Sequence, residues 1–294
     1  MSEELQIYID GTFYPKSEAK VSVFDHGLLY GDGLFEGIRA YHGQVFLCKE
    51  HIDRLYDGMK CLMIKIRQSK AEMRDILYEC LKRNNLTDAY FRLVVTRGVG
   101  DLGLSPKKCG EYGSVICIAA SITLYPDEFY QKGMKLMTSA VQRSHPECTN
   151  PRVKSLNYLS NIMAKTEAIV NGYEEAVMLN HRGEVAECTG DNIFVIRNGV
   201  LKTPPPSAVI LEGCTRNAIM DVARKAGITV IEETLARFDL YTADEIFLTG
   251  SAAELIPVVE YDGRAIGTGK PGPMTLDLLQ KFRQFIKDYR DTGV

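Results

Sequence analysis

The sequence lacks both a strong net charge and a long apolar run. Its 294 residues carry a formal net charge of −3 at pH 7, which favours neither nucleic acid nor an anionic membrane surface as a partner. The longest apolar stretch, VICIAA from Val115, is far shorter than the roughly 20 residues that a bilayer-spanning helix needs. The amino terminus, MSEELQIYID, has neither the basic start nor the apolar core of a signal peptide. We therefore expect a cytoplasmic protein without a membrane segment, which binds a small, mildly charged molecule.

The sequence also lacks a cysteine or histidine cluster that could hold a metal. Its eight cysteines include no C-x-x-C pair, and its five histidines include no H-E-x-x-H pattern. Zinc sites and disulfide frameworks depend on close spacings of this kind. We therefore expect reduced thiols and no catalytic metal.

Length and patterning indicate two domains. The composition, 45% hydrophobic and 25% charged, is that of an ordinary globular protein, and the chain is long enough to bury a sizeable core. The polar stretch TLYPDEFYQKG interrupts a run of strand patterns and predicts a linker. We predict a small N-terminal domain over 1–122, a linker over 123–133 and a large C-terminal domain over 134–294.

Hairpin turns and helical spacings locate the elements within these domains. KEHIDRLYDGMKCLMI from Lys49 and SKAEMRDILYECLKRNNL from Ser69 place apolar residues three or four apart, which predicts two helices. NPRVKSLNYLSNIMAKTEAIV from Asn150 predicts an amphipathic helix led by Lys154. Dipeptides that favour hairpin turns lie between the strand patterns: Asp10-Gly11, His42-Gly43, Arg182-Gly183 and Asn198-Gly199.

Two short stretches could bind a phosphate or a carboxylate through backbone groups. In LEGCTR, Gly213, Cys214 and Thr215 stand at a predicted helix start, where N–H groups and a hydroxyl suit a phosphate. An ordinary helix cap would use the same residues. In TGSAAE, small residues and Ser251 follow a strand and expose backbone donors, although a tight turn explains that pattern as well.

Three charged residues could act on such a ligand. Arg54 in HIDRL could clamp a phosphate, although a solvated arginine is far commoner. Glu187 in EVAECTGDNIF is a carboxylate near a glycine-bearing turn, or simply the rim of a hairpin. Lys154 could lose its charge in a pocket of low dielectric and form an imine with an aldehyde, whereas most lysines are surface charges. The combination and order of these features point to a function more than any one of them.

A series of motifs resembles, in order, those of the fold-type IV pyridoxal-phosphate enzymes. They are FDHGLLYGDGLFEGIRAY, HIDRLYDGMK, AYFRLVVTRGVGDLGL, VKSLNYL, AECTGDNIFVI, EGCTRNAIM and ADEIFLTGSAAELIPV. FEGIRAY and the Tyr90-x-Arg92 pair favour the branched-chain amino acid aminotransferases within that group. The resemblance implies a two-domain α/β fold, with a smaller N-terminal α/β sandwich and a larger, β-rich C-terminal pseudo-barrel that carries helices.

The resemblance implies pyridoxal 5'-phosphate as the cofactor and assigns residues to it. Lys154 matches the lysine that bonds covalently to the aldehyde, and Tyr158 matches the tyrosine at the phenolic oxygen. Glu187 matches the carboxylate at the pyridine nitrogen, a contact that keeps the ring able to accept electrons. The remaining matches are to the phosphate site and the surroundings of the ring: Arg54, Gly190, Leu211, Gly213, Cys214, Thr215 and Ser251.

The resemblance also implies a substrate pocket and a second subunit. Arg92 and Tyr30, the latter reaching across from another copy of the chain, resemble the site for the distal carboxylate of glutamate. Because a buried cation would reject leucine, we expect Arg92 to be held by partners at the rim. A residue donated across subunits implies a homo-oligomer, at least a dimer. The α-carboxylate site and the side-chain wall correspond to Tyr90, the N–H groups around Ser251, Ala252 and Ala253, and Phe35, Gly37 and Arg39.

The expected reaction is therefore transamination of branched-chain L-amino acids with 2-oxoglutarate, and amino acids and 2-oxo acids are the expected partners. A D-amino acid transaminase and an aminodeoxychorismate lyase of the same fold are the alternatives. A protein that binds a phosphate-bearing ligand without catalysis is a rival from another class, which the combined presence of Lys154, Tyr158 and Glu187 disfavours.

Overall fold

The computed structural model describes residues 4–121 and 125–294, which fall into two compact units. The first unit takes in the described residues up to 121 together with 153–157 and 288–294, and the second takes in 125–152 and 158–287. The predicted division at 1–122, 123–133 and 134–294 differs from these units, because both 153–157 and 288–294 belong to the first. Residues 123 and 124 of the predicted linker lie outside the described residues. The domain boundaries therefore stay a prediction.

The first unit is built on an antiparallel sheet that carries helices. The six strands follow the order β2-β1-β6-β5-β3-β4. Their bounds, with those of the helices, are β1 (Gln6–Ile9), β2 (Thr12–Pro15), α1 (His26–Tyr30), β3 (Gly33–Tyr41), β4 (Gln44–Val45), α2 (Cys48–Leu62), α3 (Lys70–Arg83), β5 (Ala89–Thr96) and β6 (Ser114–Ala120).

The core of the first unit lies between this sheet and helices α2 and α3. Ile52 and Leu55 of α2 and Met73 and Leu77 of α3 are buried against alternate residues of the strands, such as Ile38. The two helices predicted from apolar spacing are thus confirmed. Helix α3 begins with a capping box, in which the Ser69 and Glu72 side chains bind each other's backbone N–H.

The second unit is built on a mixed sheet of nine strands. Eight follow the order β12-β11-β10-β13-β14-β7-β8-β9, and β15 pairs with β14. The bounds are α4 (Asp127–Lys132), β7 (Met134–Thr138), α5 (Leu159–Val170), β8 (Glu175–Leu179), β9 (Val185–Cys188), β10 (Asn192–Arg197), β11 (Val200–Thr203), α6 (Cys214–Lys225), β12 (Val230–Glu232), α7 (Arg237–Tyr241), β13 (Glu245–Gly250), β14 (Glu254–Tyr261), β15 (Arg264–Ala265) and α8 (Pro273–Asp288).

The predicted hairpin turns are confirmed in both units. Each joins two paired antiparallel strands, and each glycine has a positive φ, between 74° and 95°, which costs a glycine little. Helix α4 occupies part of the predicted linker. In residues 4–121 and 125–294 no helix is long and apolar enough to cross a membrane.

Candidate functional site

Lys154 lies on an extended segment of the first unit that pairs with β3. Phe35 N donates to Lys154 O, and Leu156 N donates to Gly33 O, both at 2.9 Å. Helix α5 begins only at Leu159, so the prediction that Lys154 leads this helix is wrong. Apolar spacing cannot reveal a pairing partner so far away in the sequence. The pairing fixes the backbone from which the Lys154 side chain projects.

The ring of Phe35 lies close to two cations. Lys154 Nζ is 4.6 Å from the ring centroid, and the guanidinium carbon of Arg92 is 4.4 Å from it. Both distances are in the range of cation–π attraction. Arg92 Nη2 also donates to the Tyr90 hydroxyl at 3.1 Å, so Arg92 is held by neighbouring side chains, as expected. We call Phe35, Tyr90, Arg92 and Lys154 the Phe35 cluster.

The strand register explains why Gly37 and Arg39 accompany this cluster. Gly37 pairs with Arg92, and Arg39 pairs with Tyr90, so all four share one face of the sheet. A Cβ added to Gly37 would lie 2.1 Å from the Tyr90 hydroxyl oxygen. The phenol therefore occupies the space that a side chain at position 37 would take. Arg39 Nε is buried and has no hydrogen-bond partner in the described parts of the chain.

Arg54 lies on the opposite face of β3 from the Phe35 cluster. Successive residues of a strand point to opposite faces, and Glu36 points toward α2, where it meets Arg54 and His51. Arg54 Nε and Nη2 donate to the two Glu36 oxygens at 2.8 and 2.7 Å, and His51 Nδ1 donates to Glu36 Oε2 at 2.8 Å. Burial alone would raise the pKa of Glu36, but the charge of Arg54 and the bonds from Arg54 and His51 lower it on balance.

Tyr30 ends helix α1, away from the contacts of the Phe35 cluster described above. Its hydroxyl accepts from Gly103 N at 2.9 Å, and its ring packs edge-on to His26. Apolar side chains around it are exposed, with Leu28 at 62% and Leu102 at 60%. The prediction that Tyr30 serves a second subunit stays a prediction.

In the second unit, Glu187 is the centre of a buried hydrogen-bond network. Its Oε1 accepts from Arg143 Nη2 at 2.8 Å and from Leu211 N at 3.0 Å, and its Oε2 accepts from Asn192 Nδ2 at 2.9 Å. Asn192 Nδ2 also donates to Leu211 O at 2.9 Å. Two predicted residues, Glu187 and Leu211, are thus brought together by two residues that the sequence did not single out. The network fixes the direction in which the Glu187 carboxylate points.

Helix α5 connects to this network through its first turn. Asn161 accepts from Arg143 Nη1 at 2.9 Å and donates to Thr189 O at 2.7 Å. Tyr158 directly precedes the helix, and its carbonyl accepts from Ile162 N at 3.0 Å. The position of Tyr158 is therefore set by a helix whose first turn is tied to the segment that carries Glu187.

The phosphate-type stretch begins helix α6, as predicted. Gly213 is the N-cap, and among the described residues no side chain caps the first N–H groups of the helix, which is the arrangement that an anion can complete. Cys214 and Thr215 are both buried. A Cβ added to Gly213 would lie 2.1 Å from Asn192 Oδ1, so this helix start lies against the Glu187 network.

The small residues of TGSAAE form the turn between β13 and β14. Ser251, Ala252 and Ala253 occupy this turn, and Ala253 O accepts from Tyr130 Oη at 2.9 Å. A Cβ added to Gly250 would lie 2.1 Å from Asp191 Oδ1. Because Asp191 follows Gly190 directly, this turn and the predicted glycine lie near each other.

The sequence analysis missed the buried polar partners of the predicted residues. One of them left a signal in the strand pattern: Glu36 is a charged residue between Leu34 and Ile38, on the face of β3 that is otherwise apolar. The others are ordinary polar residues of loops and helices, and their function depends on contacts that are distant in the sequence. The missed partners are Glu36, His51, Arg143, Asn161 and Asn192.

Residues 33–261 match the family model described as amino-transferase class IV. A protein of Methanocaldococcus jannaschii is 53% identical over 279 residues, which cover 95% of this chain and 96% of the relative. The branched-chain-amino-acid aminotransferase of Escherichia coli K12 is 37% identical over 287 residues, which cover 94% of this chain and 91% of the relative.

Solved structures agree in fold along nearly the whole chain. The E. coli branched-chain amino acid aminotransferase has a TM-score of 0.92 at 36% identity and covers 98% of this chain and 96% of its own. A second branched-chain amino acid aminotransferase, that of T.th., was solved with pyridoxamine 5'-phosphate and has a TM-score of 0.93 at 35% identity, covering 99% and 96%. The fold-class prediction is therefore confirmed.

Proposed function

Because the chain belongs to the class IV aminotransferase family, we propose that it transfers the amino group of branched-chain L-amino acids to 2-oxoglutarate. The products are branched 2-oxo acids and L-glutamate, and the cofactor is pyridoxal 5'-phosphate. The Phe35 cluster carries the substrate assignment, because it offers an aromatic face and a guanidinium group within the same few ångströms. An aliphatic side chain and a carboxylate can each find a partner there.

The residues of the second unit fit the polar ends of the cofactor. A helix start without a side-chain cap at Gly213 to Thr215 suits the phosphate, together with Ser251. A buried carboxylate held by Arg143 and Asn192 suits the pyridine nitrogen. We propose that Arg54 in the first unit also binds the phosphate, that Tyr158 binds the phenolic oxygen, and that Leu211 and Gly190 border the ring.

Pyridoxal phosphate, when bound, provides an electron sink for the substrate and a carrier for the amino group. Lys154 has two proposed tasks, to bond to the aldehyde and, once displaced by substrate, to move the proton from the substrate Cα. The segment that carries it is fixed by its pairing with β3, so the amine is aimed by backbone hydrogen bonds. An amine that is partly desolvated becomes basic at neutral pH only when it loses its proton readily.

Arg92 and Tyr90 are proposed to bind the substrate carboxylates. The Arg92 guanidinium stacks on Phe35 and donates to the Tyr90 hydroxyl, so its position does not depend on the substrate. A preformed guanidinium can accept the distal carboxylate of glutamate without a rearrangement. When leucine is bound instead, the existing contacts still satisfy Arg92.

We further propose that the enzyme is a cytoplasmic homodimer, or a larger assembly of such dimers. The exposed side chains of Leu28 and Leu102, with Leu104 at 82% exposure, give the first unit an apolar surface of the kind that second subunits cover. The cytoplasmic location rests on the sequence pattern alone.

A panel of amino donors tests the function. We expect turnover with L-leucine, L-isoleucine and L-valine, and little with D-alanine or an aromatic amine, when 2-oxoglutarate is the acceptor. Turnover with D-alanine but not with L-leucine would replace this proposal with a D-amino acid transaminase, and release of pyruvate from aminodeoxychorismate would replace it with the lyase.

Lys154→Ala tests the assignment of the amine. We expect this variant to bind pyridoxal phosphate but to lose turnover, because the amine that the β3 pairing aims at the substrate Cα is then missing. Borohydride reduction should fix the cofactor to the wild-type chain at Lys154 and leave the variant unlabelled. Undiminished activity of the variant would refute the assignment.

A further inference from the structure

Glu36 is a buried carboxylate with no assigned task. It lies on β3 among the core residues of the first unit, and its side chain is 1% exposed, as is that of His51. The Arg54 side chain, by contrast, is 15% exposed. The group thus runs from a fully buried carboxylate to a guanidinium that reaches toward the surface of this unit.

The contacts fix the plane of the Arg54 guanidinium. Its Nε and Nη2 donate to the two oxygens of one carboxylate at 2.8 and 2.7 Å, which is the two-point arrangement that sets direction as well as distance. His51 Nδ1 donates to Glu36 Oε2 at 2.8 Å, so the carboxylate is itself held. Since a carboxylate can only accept, the proton of His51 lies on Nδ1.

We propose that Glu36, held by His51, is a positioning residue that orients Arg54 toward the cofactor phosphate. This inference rests on the proposed function, in which Arg54 binds that phosphate. Orientation is the only benefit that Glu36 can bring, because a negative charge 2.7 Å from the guanidinium opposes its attraction for an anion. The pair is therefore worse than a lone arginine as a point charge and better as a directed hydrogen-bond donor.

The two effects predict opposite outcomes for Glu36→Gln. If Arg54 acts as a point charge, removal of the neighbouring anion strengthens phosphate binding. If Arg54 acts through its orientation, the amide of glutamine faces the donors of Arg54 and His51, the guanidinium turns away, and phosphate binding weakens.

The experiment compares pyridoxal 5'-phosphate with pyridoxal, which has the same aldehyde and ring but no phosphate. The dissociation constant of each is measured on the full-length apoprotein, and the preference for the phosphate form, the pyridoxal constant divided by the pyridoxal phosphate constant, reports on the phosphate site alone. For Glu36→Gln we expect this ratio to fall about tenfold or more, as for the loss of a hydrogen bond to a charged group, with pyridoxal binding nearly unchanged. A ratio equal to or above that of the wild type overturns the proposal.

Asp291→Asn is the matched control. Asp291 accepts from Arg74 Nε at 2.8 Å and from Tyr78 Oη at 2.7 Å in the same unit, so it too is a buried carboxylate that holds an arginine. It has no place in the proposed site. We expect this variant to be destabilised similarly in thermal unfolding and to keep the wild-type ratio, and a ratio that falls equally in both variants shows a general effect of unfolding and overturns the proposal.

Arg54→Lys provides a second test that does not depend on the folding of Glu36→Gln. Lysine keeps the charge but cannot make the two-point contact, so we expect its ratio to fall to that of Arg54→Met. If Arg54→Lys keeps the wild-type ratio, orientation is unimportant and the proposal is wrong. A wild-type protein that borohydride fails to label at Lys154 would instead refute the proposed function itself.

Discussion

At the scale of the residue, Gly37 determines how closely Tyr90 approaches β3. A Cβ at this position would lie 2.1 Å from the Tyr90 hydroxyl oxygen and 2.9 Å from its Cζ. These atoms belong to the side chain that accepts the hydrogen bond of Arg92. The absence of a side chain at one strand position thus sets the geometry of the carboxylate-binding pair on the next strand.

Gly37→Ala should therefore impair substrate binding more than cofactor binding. The added methyl group displaces the Tyr90 phenol and breaks its contact with Arg92, so we expect KM for both L-leucine and 2-oxoglutarate to rise about tenfold, the effect of losing one charged hydrogen bond. Steady-state kinetics and the dissociation constant of pyridoxal phosphate provide the comparison. Gly110→Ala is the control, because the nearest atom to its added Cβ is 3.9 Å away. A Gly37→Ala enzyme with wild-type KM values would show that Tyr90 does not bind substrate.

At the scale of the element, the sequence predicted what depends on neighbours in the chain and missed what depends on distant contacts. The hairpin dipeptides and the helices α2 and α3 follow from local spacing, and the structure confirms them. The start of α5 was placed too early because the residues before Leu159 pair with β3, which no periodicity within 150–170 can show. The same reason applies to the candidate site: Lys154, Glu187 and Arg54 came from motif resemblance, whereas the buried groups that hold the latter two came only from the structure.

Helix α8 shows how such a distant contact can stabilise an element. Glu245 at the start of β13 accepts from Met274 N at 3.1 Å, and its other oxygen accepts from Thr275 N at 2.7 Å and Thr275 Oγ1 at 2.6 Å. A carboxylate from a strand thus satisfies donors in the first helical turn and complements the positive end of the helix dipole.

Glu245→Ala should lower the free energy of unfolding by about 2 kcal/mol, because it leaves buried donors without an acceptor. Urea unfolding followed by circular dichroism measures the change. Asp277→Ala is the matched control, since Asp277 is a carboxylate on the exposed surface of the same helix, paired with Lys281 at 2.6 Å. Such exposed pairs contribute roughly 0.3–0.5 kcal/mol. An equal loss in both variants would mean that Glu245 does not cap the helix.

At the scale of the whole molecule, the position of Tyr30 makes the proposed dimer testable through function. Tyr30 lies among exposed apolar residues, and its hydroxyl contacts Gly103 N rather than the Phe35 cluster. If Tyr30 completes the site of a second copy, Lys154 and Tyr30 of one site come from different chains. Two variants that are each inactive or impaired, Lys154→Ala and Tyr30→Ala, can then complement each other.

A heterodimer of these two variants contains one site with both substitutions and one site with neither. We therefore expect it to recover about half of the wild-type activity, although each parent homodimer has both of its sites altered. Co-expression with two different affinity tags, followed by tandem purification, isolates the heterodimer for steady-state assay with L-leucine. If Tyr30 instead serves the site of its own chain, each site of the heterodimer carries one substitution, and the activity equals the mean of the two parents. The same preparation, analysed by size-exclusion chromatography with light scattering, shows whether two chains associate at all, and a monomer would refute the shared site.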